Sequence, residues 1–156
     1  MRAFVSPWLF TTLLLLTACA SSDTDQPSAK RVAVHWELVT NFLDTPGTFE
    51  ARFALRNNSA VTLNDDNWAL FFNMAPRPIL PDKTPQPAQV IHINGDWYKL
   101  VPDSGFRLAP GDSVAITYWG TEGVIKETDR PLGLYFVFYN DAGEEERIVE
   151  VSDFSF

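Results

Sequence analysis

Apolar side chains recur at every second position along several stretches after residue 31, and this pattern constrains the fold more than any other feature of the sequence. Alternation with a period of two places one set of side chains on a single face of a β-strand, whereas an amphipathic helix needs spacings of three and four. No window of the chain gives a convincing amphipathic helix. The predicted strands lie at residues 32–38, 49–55, 67–73, 90–93, 97–101, 114–118, 132–138 and 147–151.

Turn-forming residues separate these stretches at short intervals. Asn94-Gly95 is the strongest hairpin signal, and Pro110-Gly111-Asp112 and Asp141-Ala142-Gly143 are further turns. Roughly seven to nine short strands joined in this way predict an all-β fold, an antiparallel two-sheet β-sandwich of immunoglobulin-like architecture. Residues 74–87 contain five of the eleven prolines and are predicted to form a long, stiff loop, since proline cannot donate to a sheet ladder.

The chain has one cysteine, Cys19, which lies in a segment with the features of an export signal. Arg2 precedes an apolar run from Phe4 to Leu16 that is too short and too interrupted to span a bilayer. The stretch Leu16-Thr17-Ala18-Cys19 resembles the lipobox of bacterial lipoproteins. The resemblance implies removal of a signal peptide at residues 1–18 and lipidation of Cys19, with acyl chains that anchor the protein in a membrane. The alternatives are secretory cleavage that leaves Cys19 free, and an uncleaved helix.

This reading divides the chain into three parts. Residues 1–18 are the lipoprotein signal peptide, residues 19–30 are the lipidated cysteine with a flexible, polar tether, and residues 31–156 are a single β-sandwich domain. Ala20 and Ser21, rather than aspartate, follow the cysteine, and in Gram-negative lipoproteins this pattern implies sorting to the outer membrane, on either its periplasmic or its surface face.

Charge and motif content argue against several classes of function. The formal net charge is −8 at pH 7, and an acidic surface repels nucleic acid. His35 and His92 fall on different predicted strands, and the Asp, Glu and Cys residues do not have the spacing typical of a zinc site. The acidic pairs Asp65-Asp66 and Glu144 to Glu146 lie beside turns, where solvated carboxylates are ordinary. We therefore predict no catalytic site, no metal and no cofactor; an enzyme that works through the acidic turns is the least favoured reading.

A series of short motifs runs in order along the chain and comprises Asn57, Trp68 to Phe72, Arg77, Asn94 to Asp96, Leu100, Pro102, Phe106, Leu108, Gly111, Asp112, Asp129, Pro131 and Tyr135. Together these motifs resemble the N-terminal carbohydrate-binding-type domain of bacterial chitobiases and β-N-acetylhexosaminidases. The resemblance covers nearly all of residues 31–151 and implies a β-sandwich similar to those of carbohydrate-binding modules. In those enzymes a catalytic barrel follows this domain, and this sequence contains no such barrel, so the glycosidase activity is not implied.

Aromatic residues beside polar ones are the candidate binding residues, because sugar rings stack on flat aromatic faces while amides and carboxylates bind their hydroxyls. Trp97 and Tyr98 point to opposite faces of one strand, as do Tyr118 and Trp119, so one of each pair belongs to the core. Our assignment places Tyr98 and Trp119 outward. The alternative is that the large aromatic residues simply fill the core. The candidates are Tyr98, Trp119, Asn94, Asp96, Trp97 and Arg77.

The sequence thus predicts a non-catalytic carbohydrate-binding module on a membrane-anchored lipoprotein. The expected ligand is an amino-sugar polymer, either chitin oligosaccharide or peptidoglycan glycan. The rival hypothesis is a protein-interaction lipoprotein that kept the fold, lost the sugar and binds an envelope protein. Arg77 has an alternative role, in which it pairs with an acid such as Asp96 and fixes the proline-rich loop.

Overall fold

The structure is a computed structural model that describes residues 32–42, 47–124 and 126–156. The signal peptide, Cys19 and the tether predicted from the sequence lie outside these residues. No helix in the described part of the chain is long and apolar enough to cross a membrane. The strands are β1 (Val32–Phe42), β2 (Thr48–Asn57), β3 (Leu63–Asn64), β4 (Trp68–Asn73), β5 (Ile79–Leu80), β6 (Ala88–Asn94), β7 (Trp97–Pro102), β8 (Arg107–Leu108), β9 (Ser113–Thr121), β10 (Leu132–Tyr139), β11 (Glu145–Glu150) and β12 (Phe154–Ser155).

The strands form two five-stranded sheets that pack face to face, which confirms the predicted all-β sandwich. The first sheet has the order β12-β1-β2-β9-β5, and the second has the order β11-β10-β4-β7-β6; β3 and β8 make a small separate pair. Neighbouring strands are antiparallel except for β1 and β12, which run parallel. The predicted hairpin joins β6 to β7, where Gly95 adopts a positive φ of 50° and Asn94 pairs with Trp97.

The core lies between the sheets and is rich in aromatic rings. Phe53 of the first sheet packs against Phe72 of the second, with 5.2 Å between ring centroids. Tyr118 stacks on Phe53 at 5.8 Å, and its hydroxyl accepts a hydrogen bond of 2.9 Å from the Trp36 indole. Trp36 and Phe53, which the alternation assigns to the core, are both buried. The period-two pattern therefore places the inward side chains of these strands correctly.

The proline-rich stretch at residues 74–87 differs from the uniform loop predicted for it. Ile79 and Leu80 form strand β5 at the edge of the first sheet, where they pair with Gly120 and Trp119 of β9. These two positions are free of proline, so their backbone can bond to a single neighbour, as an edge strand requires. The stretch therefore crosses from the second sheet to the first and lies along the edge of β9.

Candidate functional site

The outer side of the second sheet carries a row of three aromatic side chains from three adjacent strands. Trp97 comes from β7, Phe71 from β4 and Tyr135 from β10, and all three are partly exposed. Phe71 is opposite Tyr135 on one side and Lys99 on the other, and Trp97 is opposite Asn73. Cross-strand neighbours of this kind lie close enough for their side chains to interact directly. The three rings form what we call the aromatic row.

The rings of the aromatic row contact one another. Phe71 and Tyr135 have ring centroids 5.3 Å apart and planes only 7° from parallel, whereas Phe71 and Trp97 are 5.6 Å apart with planes inclined by 33°. Parallel rings at such a spacing overlap in part, so they do not tile the sheet as one flat surface. The row ends at Trp97 on the side of β6, and this indole is its largest ring.

A pocket of about 240 Å³ lies at the end of the aromatic row, and we call it the end pocket. Three of its lining residues are polar, Asn73, Asp96 and Thr128, and the others are apolar. Asn73 joins the pocket to the row because it stands directly opposite Trp97 in the β4–β7 ladder. The full lining is Asn73, Met74, Ala75, Pro76, Asp96, Thr128 and Leu132. An apolar recess with a few convergent polar groups is the usual composition of a ligand site.

Tyr98 is fully buried, so its predicted outward orientation is wrong. Its ring stacks on Phe72 at 5.8 Å inside the sandwich. The hydroxyl group accepts a hydrogen bond of 2.7 Å from the backbone N–H of Arg77 and donates one of 3.0 Å to the Arg77 carbonyl. Burial raises the pKa of Tyr98. The phenol finds complete backbone partners inside the fold, which is the condition for burying a tyrosine.

Trp119 lies on the outer side of the first sheet, as its predicted phase requires, but it is only 6% exposed and offers no open face for a sugar. Its indole N–H donates to Glu50 Oε2 at 3.1 Å, and the Lys83 ammonium lies 5.3 Å from the ring centroid. Both Lys83 and the partner strand β5 belong to the proline-rich stretch. The predicted outward orientation of Trp119 is therefore correct, but its ring is covered because another segment of the chain packs over it.

Arg77 is buried and pairs with Asp129, not with Asp96 as the sequence suggested. Its Nη2 donates to Asp129 Oδ2 at 2.9 Å, and its Nε donates to the Gly123 carbonyl at 2.6 Å. Asp129 ends a single 3₁₀ turn, Glu127–Asp129, that carries Thr128 into the end pocket. The predicted role of Arg77 in fixing the proline-rich stretch therefore holds with a different acidic partner.

Of the remaining candidates, the structure brings Asp96 and Trp97 to one place and leaves Asn94 at the exposed end of β6. Asp96 is exposed at the end pocket, and its backbone carbonyl accepts a hydrogen bond of 2.8 Å from Met74 N–H. Within the described residues no group of three or more His, Cys, Asp or Glu side chains is arranged to hold a metal ion. The site consists of aromatic, amide, hydroxyl and carboxylate groups.

Residues 32–153 match the protein family described as "Putative carbohydrate binding domain". The match covers every strand of the sandwich except β12, and it includes the candidate site. The chain belongs to this family. The resemblance inferred from the sequence motifs is therefore confirmed. No curated protein matches the chain in sequence.

Solved structures resemble this carbohydrate-binding domain in fold. An exo-β-N-acetylglucosaminidase from Vibrio harveyi, solved with N-acetylglucosamine, is 21% identical with a TM-score of 0.60, over 81% of this chain and 18% of that enzyme. The chain thus spans about a fifth of that enzyme. A chitin-binding domain from Streptomyces coelicolor is 15% identical with a TM-score of 0.47, over 69% of this chain and 90% of that domain. A scaffoldin CBM3b from Acetivibrio cellulolyticus is 12% identical with a TM-score of 0.49, over 71% of this chain and 93% of that module.

The sequence contained a signal for the outward residues of this carbohydrate-binding domain that our reading did not use. Lys99 lies two residues after Trp97 and therefore on the same face of β7, whereas Leu100 shares the opposite face with Tyr98. Because Lys99 is charged, it marks the face of Trp97 as the outer one. Asn73 marks the face of Phe71 on β4 in the same way. Thr128 and Leu132 had no such signal, because their part in the end pocket depends on how distant segments meet.

Proposed function

We propose that this chain binds glycan chains through the aromatic row and the end pocket, and that its ligands are amino-sugar polymers, either chitin oligosaccharide or peptidoglycan glycan. The observation that carries the proposal is the row of Trp97, Phe71 and Tyr135 on the open side of the second sheet, bordered by Asn73 and Asp96. Membership of a family of carbohydrate-binding domains supports a glycan ligand.

The chemistry of the row suits a saccharide. A pyranose ring presents C–H groups on its faces, and these pack favourably on aromatic surface, while its hydroxyls need hydrogen-bonding partners at the edge. Trp97 supplies the largest ring at the end of the row, and Asn73, Asp96 and Lys99 lie around it. Because the row crosses three strands, a bound chain would lie across the strands and contact one ring per strand.

The proposed role is binding without catalysis. The carboxylates at the site do not form the facing pair that glycoside hydrolysis needs, since Asp96 is the one acid that lines the end pocket. Incubation of the purified chain with chromogenic N-acetylglucosaminides should give no product above a protein-free blank. Turnover that follows the protein through purification and disappears in Asp96→Ala would contradict the proposal.

Pull-down on chitin and on purified peptidoglycan tests the binding proposal directly. We expect the full chain, purified in detergent, to be retained on at least one polymer, and Trp97→Ala to lose at least tenfold in affinity. Phe42→Ala is the matched control, since Phe42 is an exposed aromatic residue on β1 of the other sheet, 61% accessible. An equal loss of affinity in both variants, or no retention of the unaltered chain on either polymer, would contradict the proposal.

Anchoring through Cys19 is part of the same proposal. The lipobox-like stretch supports it, together with the polar tether that follows. Cells fed an alkyne analogue of palmitate should label the chain, and Cys19→Ser should abolish the label and release the protein from the outer-membrane fraction. Labelling that persists in Cys19→Ser, or membrane association without any label, would rule the anchor out.

A second candidate is binding of an envelope protein along strand β6. This strand is the edge of the second sheet, and it exposes Ile91 and Ile93, whose relative accessibilities are 38% and 37%. Exposed edges of this kind accept an added strand from a partner. A photo-crosslinking residue at position 91 should then form a discrete adduct in cells, while the same residue at Ala115, exposed on β9, should form none. Absence of an adduct at position 91 would count against this candidate.

A further inference from the structure

We infer that the end pocket recognises the acetamido group of an N-acetylated sugar held on the aromatic row. The inference rests on the proposed function and adds to it the residues that would distinguish amino sugars from plain hexoses. An acetamido group has one N–H donor, one carbonyl acceptor and a methyl group. The end pocket offers a partner for each of the three within one recess.

The polar side chains of the pocket complement the amide. Asp96 contributes a carboxylate, which accepts a hydrogen bond from an amide N–H. Asn73 contributes amide N–H donors and Thr128 a hydroxyl donor, and either can serve the acetamido carbonyl. A bond to a charged acceptor is stronger than one between neutral groups, so Asp96 should contribute more than Thr128.

The apolar wall of the pocket fits the methyl group. Met74 is buried beneath the recess, Pro76 lies beside it, and Leu132 is 40% exposed on β10. A hexose with a hydroxyl group at the same carbon would leave this wall in contact with water. Filling an apolar recess with one methyl group and pairing the amide are together worth on the order of tenfold in affinity or more.

The pocket is held in shape by contacts that do not depend on a ligand. The backbone N–H of Met74 donates to the Asp96 carbonyl at 2.8 Å and ties the β4 end to the β6–β7 hairpin. The buried Arg77–Asp129 pair fixes the short turn that carries Thr128. A preformed site loses less conformational entropy on binding than a site that must be ordered by its ligand.

Calorimetry with two matched oligosaccharides tests the inference. The probes are a β-1,4-linked N-acetylglucosamine hexamer and a glucose hexamer of the same linkage, and a soluble peptidoglycan glycan fragment is the third arm. We expect the full chain to prefer the acetylated hexamer by about tenfold or more. Asp96→Ala with Thr128→Val should reduce this preference to below about threefold, because the acetylated hexamer loses more affinity than the glucose hexamer.

Asp141→Ala is the matched control, because Asp141 is an exposed carboxylate in the turn between β10 and β11 and does not line the end pocket. It should keep the full preference, and thermal melting should show that every variant is folded.

A double variant that keeps the preference, or an unaltered chain that binds both hexamers equally, would overturn the pocket inference while the glycan function stands. Binding to none of the three probes would overturn the proposed function and the pocket inference together. Preference for the peptidoglycan fragment over the acetylated hexamer would support the inference and identify the source of the acetyl groups.

Discussion

The two sheets of the sandwich expose very different outer sides, although both follow the same alternation. The first sheet presents small residues at Ala33, Ala54 and Ala115, and its one large outward indole, Trp119, lies beneath the proline-rich stretch. The second sheet presents the aromatic row without such a cover. An aromatic residue on the outer side of a strand is therefore available to a ligand only where no other segment of the chain packs over it.

The covering segment is held by a buried ion pair, and this explains why the difference is stable. Arg77 is part of the proline-rich stretch, and its bonds to Asp129 and to the Gly123 carbonyl attach the stretch to the connection between β9 and β10. Lys83 of the same stretch then lies over Trp119. The four changes below test this arrangement from the largest expected effect to the smallest.

Arg77→Ala should have the largest effect, a loss of about 3 to 5 kcal/mol of folding free energy, because it leaves Asp129 partly buried without the guanidinium. Urea unfolding measures the loss. The exposed pair Arg52–Glu37 is the control, with side chains 38% and 44% accessible, and Arg52→Ala should change stability by less than about 1 kcal/mol. Similar losses in the two variants would contradict the assigned role of Arg77.

Gly120→Ala should destabilise the fold by about 2 kcal/mol. A Cβ at this position would overlap the Phe49 ring, and it would also lie 3.2 Å from the Pro78 carbonyl of the covering segment. Thermal melting measures the shift, and Ala115→Ser on the same strand should melt like the unaltered chain. If Gly120→Ala melts normally, the Phe49 ring and the Pro78 carbonyl do not pack on Gly120 as closely as the structure indicates.

Tyr118→Phe should lower the free energy of unfolding by about 1 kcal/mol near neutral pH, because the buried Trp36 N–H loses its acceptor. Burial also raises the pKa of Tyr118 above its ordinary value of 10.0. The folded state then holds the phenolic proton more tightly than the unfolded chain, so the stability from this group is complete below about pH 10 and falls as the pH rises above it.

Urea unfolding from pH 8 to 11 measures this slope. Replacing Tyr118 by phenylalanine should flatten the decline above pH 10. A decline of the same steepness in both proteins would show that groups other than Tyr118 cause the loss of stability at alkaline pH.

Lys83→Ala should have the smallest effect on stability, about 0.5 kcal/mol, since it removes one cation from the face of Trp119. The informative readout is collisional quenching of tryptophan fluorescence by acrylamide, which should increase as Trp119 becomes accessible. Arg107→Ala is the matched control, since Arg107 is an exposed cation on β8. Unchanged quenching in Lys83→Ala would mean that β5, rather than the lysine, covers the indole.

The strand faces could be predicted from the sequence wherever the alternation had a charged or polar residue to fix its phase. Trp36, Trp68 and Phe53 were assigned to the core and are buried. At Trp97-Tyr98 both neighbours are aromatic, so hydrophobicity alone does not choose between them, and the wrong residue was placed outward. The position of Lys99, two residues after Trp97, identifies Trp97 as the outward residue. The bonds between the Tyr98 hydroxyl and the backbone of Arg77, over 21 residues, are the contacts that no local pattern reveals.

The sequence by itself determined the all-β class, the hairpin at Asn94-Gly95 and the family, because turn chemistry and the period of two are local properties of the chain. The tertiary structure alone decided that Trp119 is covered, that Arg77 pairs with Asp129 and that Asn73, Asp96 and Thr128 share a pocket. These facts depend on which segments pack over which strands. Such contacts join residues far apart in the chain, and their geometry is fixed only when the two sheets close on a common core.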